Sequence, residues 1–134
     1  MRRLMVASAA LCVVLVPGAP AGAAEVAAAP GSFAAGSFAP PVVVIAEGEG
    51  IRFTNGDLPR HNLTAADAFL SKKAARKSQW CSAFDPGRCP LFLSPTITTG
   101  QSADVRGLQR VRSGSEYGFL CTIHPNMTGT LVVR

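Results

Sequence analysis

The chain is 134 residues long, room for one domain and hardly two. Hydrophobic residues make up 48% and charged residues 16%, which excludes wholesale disorder and permits a packed core. The formal net charge is +5, from 13 Lys+Arg against 8 Asp+Glu, too small an excess to argue for a nucleic-acid partner.

Residues 1–24 read as a secretory signal peptide. Arg2 and Arg3 open it, an apolar run follows from Leu4 to Val16, and a Pro/Gly/Ala segment leads to Ala21-Gly22-Ala23. Cleavage is expected after Ala23, with Ala24 as the second option. The apolar run is short for a bilayer span, and Leu11 stands before Cys12 where a lipid-attachment site wants a small residue. No later segment reaches transmembrane length. The expectation is an exported protein, periplasmic, cell-surface or extracellular, in a compartment that permits disulfides. Without the leader the chain keeps Met127 as its only methionine and Cys81, Cys89 and Cys121 as its only cysteines.

Residues 25–37 are rich in Ala, Gly, Ser and Pro and repeat Gly-Ser-Phe-Ala at Gly31 and Gly36. That composition predicts a flexible spacer before a domain at 38–134, with Phe38 free to pack on the first strand. Val42-Val-Val-Ile45 has strong strand character, Glu47–Gly50 reads as a turn, and Ile51-Arg-Phe-Thr54 alternates as a half-buried strand does. Asn55-Gly56-Asp57 stops that strand. Further on, Ser102–Val105, Glu116–Cys121 and Thr130–Val133 read as strands. Short strands parted by Gly/Asn/Asp turns predict an all-β sandwich.

Ala65 to Lys77 breaks the pattern. It is rich in helix formers, and Thr64-Ala-Ala-Asp67 resembles a capping box, which predicts a short helix within an insert at about 65–95. Lys72 and Arg76, and Lys73 and Lys77, share a face by their spacing. They read as a solvated surface, or else as a docking face for an acidic redox partner. Trp80 is placed to anchor the insert. Cys81 and Cys89, close in sequence around Pro86 and Gly87, can pair as a disulfide. The other readings are that Cys121 pairs with one of them, or that they hold a second metal.

The chemistry concentrates in Cys121-Thr-Ile-His124-Pro-Asn-Met127. Thiolate, imidazole and thioether recur at three-residue intervals in a segment that follows one strand and precedes another. These are soft and borderline ligands that suit copper. The chain holds one other histidine, His61, soon after the strand that ends at Asn55-Gly56-Asp57. Two His and one Cys in a plane, with a weak axial Met, form the ligand set of blue-copper electron-transfer sites.

The segment from Phe119 to Val132 resembles the ligand loop of the plastocyanin/azurin-like cupredoxins, and its Cys-x2-His-x2-Met spacing is most similar to the amicyanin type. Arg60-His61-Asn62 resembles the family's first ligand, His followed by Asn. The resemblance covers roughly residues 38–63 and 102–134. It implies a Greek-key β-sandwich, and the short helical, disulfide-closed insert at about 65–95 is a departure from the family pattern. It implies one mononuclear type 1 copper ion held by His61, Cys121 and His124, with Met127 axial. Asn62 would steady the two ligand loops through hydrogen bonds toward Cys121 and Thr122, and His124 with Pro125 would form the surface where electrons enter and leave. The implied function is that of a monomeric single-electron carrier between a redox donor and acceptor by Cu(I)/Cu(II) cycling, not an enzyme. A copper-delivery or homeostasis protein would use the same ligands, and a metal-free interaction module would have no reason to hold all four. Asn62-Leu-Thr64 and Asn126-Met-Thr128 match glycosylation sequons and read as coincidence.

Overall fold

β-Branched and aromatic residues in alternation build most of the strands. The computed structural model describes residues 22–30, 36–85 and 87–134. Among the described residues there are eight strands: β1 (Ala24–Ala29), β2 (Ser37–Ala39), β3 (Val42–Ile45), β4 (Ile51–Asn55), β5 (Thr64–Ala65), β6 (Ser102–Asp104), β7 (Glu116–Leu120) and β8 (Thr128–Val133). They form two four-stranded sheets, ordered β2-β1-β4-β6 and β3-β8-β7-β5. Pairing is parallel between β1 and β4 and between β3 and β8, and antiparallel elsewhere.

In β3, Val43 and Ile45 point inward while Val42 and Val44 face out; in β4, Ile51, Phe53 and Asn55 are buried. Inward residues of both sheets meet in one core, which includes Val26, Phe38, Phe53, Phe119, Leu131 and Val133. Phe38 packs edge-on between Phe53 and Phe119, with ring centroids 6.0 and 4.9 Å away. Phe119 lies over β8 at Gly129, where a Cβ would overlap its ring. A residue with a side chain there would push the central aromatic out of place.

Two expectations change. Residues 24–29, placed in the leader and spacer, form β1, a central strand hydrogen-bonded on both sides. Val26 and Ala28 turn inward there. Small residues have weak strand preference alone, but two ladders and a buried face override it. The folded unit therefore starts before residue 38. Residues 1–21, with most of the signal-peptide reading and Cys12, and residues 31–35 lie outside the described residues.

The second change concerns the insert. Thr64 does not cap a helix; Thr64 and Ala65 pair with Leu120 and Phe119 as β5. The only α-helix among the described residues is a single turn, α1 (Lys72–Ala75), capped by Ser71, whose hydroxyl accepts from the Ala74 N–H. A 3-10 turn follows at Gln79–Ala83. Cys81 and Cys89 form a disulfide with Cα atoms 5.4 Å apart, and Cys121 is a free, buried cysteine. Leu70, Ala75 and the two half-cystines make a small core of their own. Leu91 packs against both cores and joins the insert to the sandwich. Trp80 packs against the insert core, and the Arg110 guanidinium lies 5.5 Å from its ring centroid. No helix among the described residues is long and apolar enough to cross a membrane.

Candidate metal centre

The site lies where one end of each sheet meets the other. On one side β4 ends at Asn55, and a short loop carries the chain to His61. Asn55 organises that loop: its amide donates to the Pro59 carbonyl at 2.8 Å and the Ile97 carbonyl at 3.1 Å, and its Oδ1 accepts the Asp57 N–H at 2.9 Å. His61 is then fixed by a two-way backbone bridge to Ile97, at 3.1 and 2.9 Å. On the other side, the 121–127 loop joins β7 to β8. The Cys121 N–H donates to the Met127 carbonyl at 3.0 Å and closes the loop. Asn126 takes φ +67°, a left-handed turn that asparagine tolerates well.

These supports bring three donors together. The Cys121 Sγ lies 3.8 Å from His61 Nδ1 and 3.6 Å from His124 Nδ1, and the ligand atoms of the three residues all fall within 4.8 Å of one another. His61 is wholly buried, Cys121 nearly so, and His124 partly exposed. The rings of the two histidines are 4.5 Å apart, centroid to centroid. Met127 is buried in the main core.

Simple geometry tests whether a metal fits. An imidazole nitrogen at about 2.0 Å and a thiolate sulfur at about 2.3 Å, the bond lengths found at zinc, stand about 3.7 Å apart when they subtend 120°. The two sulfur–nitrogen separations, 3.8 and 3.6 Å, straddle that value. Both sulfur–nitrogen separations are those a trigonal centre requires.

Asn62 ties the two halves of the site. Its Oδ1 accepts the Thr122 N–H at 2.9 Å, and its Nδ2 donates to Thr122 Oγ1 at 2.7 Å and Thr96 Oγ1 at 3.2 Å. The Thr64 hydroxyl reaches Oδ1 at 3.4 Å. Among the described residues Cys121 is not one of its partners, in contrast to the bonding read from the sequence. The carboxamide faces the backbone beyond the sulfur.

No family model matches the chain, and no curated protein is a significant match. Solved structures do match. A variant of reduced amicyanin superposes with a TM-score of 0.54 at 20% identity, over 87% of this chain and 86% of that one. A purple cupredoxin from Nitrosopumilus maritimus gives 0.54 at 22% identity, over 83% and 99%. The chain has the cupredoxin fold. A copper-containing nitrite reductase from Thermus scotoductus SA-01 gives 0.56 at 22% identity; the match covers 90% of this chain but 24% of the reductase. In this cupredoxin fold the His61–Cys121–His124 cluster fits one type 1 copper ion, by its donor types and by its spacing.

Three neighbours of the site were not legible as such. Asp57, read as a strand breaker, places Oδ2 3.0 Å from His61 Nε2. Gly36, read as spacer, is buried against that pair. Thr96 bonds Asn62 from the far end of the insert. An acid four residues before a ligand histidine was the one signal available for Asp57. Nothing in the sequence marked the other two.

Proposed function

We propose that this protein is an exported electron carrier, in which one copper ion held by His61, Cys121 and His124, with Met127 as axial ligand, cycles between Cu(I) and Cu(II). The observation that carries this reading is the fixing of the donors. They come from two loops far apart in sequence, each closed by main-chain hydrogen bonds and tied to the other through Asn62 and Thr122 rather than by flexible side chains alone. A site that cannot relax toward the preferred geometry of either oxidation state changes little on electron transfer. The bound ion would supply the redox couple; the protein supplies the donor spacing and excludes water from His61 and Cys121.

His124 is the ligand with an outward edge, and Ile123 and Pro125 beside it are exposed. We place electron entry and exit there. Both histidines of the chain belong to this site, which leaves none for a second copper centre of the kind an oxidase needs. The exported location rests on the leader-like first residues and on the Cys81–Cys89 disulfide, a bond that persists in oxidising compartments. The donor and acceptor are redox proteins.

Repeated redox cycling separates this reading from copper delivery. The copper-loaded protein is reduced and reoxidised in the presence of a Cu(I) chelator. A carrier retains its copper through many cycles. Release of the ion to the chelator on the first reduction would favour delivery instead.

A further inference from the structure

The outer edge of His61 carries a second device. Nδ1 faces the Cys121 sulfur, so the ring proton belongs on Nε2, which donates to the Asp57 carboxylate at 3.0 Å. Asp57 is itself pinned. Its Oδ1 accepts the Leu58 N–H at 2.8 Å, its own N–H donates to Asn55, and its carbonyl accepts the Thr99 hydroxyl at 2.8 Å. Gly36 closes over the pair: a Cβ there would lie 2.9 Å from Asp57 Oδ2, 2.9 Å from His61 Cε1 and 3.1 Å from Nε2. Only a residue without a side chain lets the backbone come this close. The Asp57 side chain is left largely shielded from water, at 11% exposure.

We infer that Asp57, sealed by Gly36, is a positioning residue that orients His61 and biases the site toward the oxidised ion. The inference rests on the copper reading above. A thiolate leaves one positive charge on Cu(II) and none on Cu(I). A buried negative charge behind His61 therefore stabilises the oxidised state more than the reduced one, and low local dielectric keeps that charge from being screened. The hydrogen bond also fixes the ring tautomer and makes the imidazole a stronger donor.

Two variants test this without removing a ligand. Asp57→Asn keeps the shape and removes the charge. Gly36→Ala keeps the charge and drives a methyl group into the pair. The readouts are the visible band, the midpoint potential and the Cu(II) and Cu(I) dissociation constants. Asp57→Asn is expected to weaken Cu(II) binding about 10-fold more than Cu(I) binding, the lower end for loss of a partner behind a metal ligand. That corresponds to a potential about 59 mV higher for a one-electron couple. Gly36→Ala is expected to shift the potential in the same direction, and it decides the matter alone if Asp57→Asn does not fold. A blue variant whose potential equals or falls below that of the unmodified protein overturns the role of Asp57 and leaves the copper reading intact. Absence of the band in the unmodified protein overturns both.

Discussion

Asn62 is the most direct structural link between the two ligand loops, and its removal has a calculable cost. In Asn62→Ala two good hydrogen bonds to Thr122 disappear, those of 2.9 and 2.7 Å. Each contributes about 1 kcal/mol net, and the two longer contacts, at 3.2 and 3.4 Å, add little. The Thr122 side of the clamp is exposed, so water can rehydrate its groups and no large penalty for an orphaned donor applies. The expected loss for the copper-free protein is about 2 kcal/mol, or roughly 8 °C in Tm for a domain of this size. Thr122→Val removes only the 2.7 Å bond and should cost about half as much. Thermal unfolding of both single variants and the double variant closes a mutant cycle. A coupling of about 1 kcal/mol is expected because the two changes remove one shared bond. Strictly additive effects, or a loss below about 0.5 kcal/mol in Asn62→Ala, would refute the idea that this residue clamps the loops.

Two further outcomes follow from the insert. The Cys81–Cys89 disulfide closes a loop with a sequence separation of 8, for which chain entropy gives about 2.5 kcal/mol. Replacing both by Ser should lower stability to urea by about that amount and leave the visible spectrum of the copper form unchanged, because Cys121 is a separate, free thiol; a changed spectrum would contradict this separation. Reversing the charge at exposed Lys72 and Lys73 should slow reaction with an acidic redox protein at low ionic strength, with the rates converging at high salt; equal rates at low salt would show that this face is merely solvated.

Residue chemistry made the His61–Cys121–His124 cluster legible, because scarcity did the sorting: two histidines in the chain and three cysteines beyond residue 24 leave few combinations. The strands at 42–45, 51–55, 116–120 and 128–133 were legible for a different reason, since β-branched and aromatic residues alternate there and the sheets bury one face. Local signals misled where tertiary pairing overruled them. Thr64-Ala-Ala-Asp67 has the residues of a helix start, but the neighbouring β7 offers Thr64 and Ala65 ladder hydrogen bonds and a buried position. Ala24–Ala29 has the composition of a spacer, yet a slot between β2 and β4 accepts small side chains and satisfies its backbone on both edges. Asp57 and Gly36 were hidden because their roles depend on contacts with no periodicity. One is set by a loop that folds back on Asn55, the other by the segment just before β2, which lies against Asp57 and His61 in space.

The claim on which the rest depends is that a single ion bridges the two halves of the chain through the Cys121 sulfur. The optical spectrum of the purified protein after copper addition and oxidation, taken beside that of Cys121→Ser, tests it most directly. One equivalent of copper should produce an intense visible thiolate-to-copper band, and the Ser variant should remain folded without it. Copper uptake with no such band, or a band that survives in Cys121→Ser, would contradict the account.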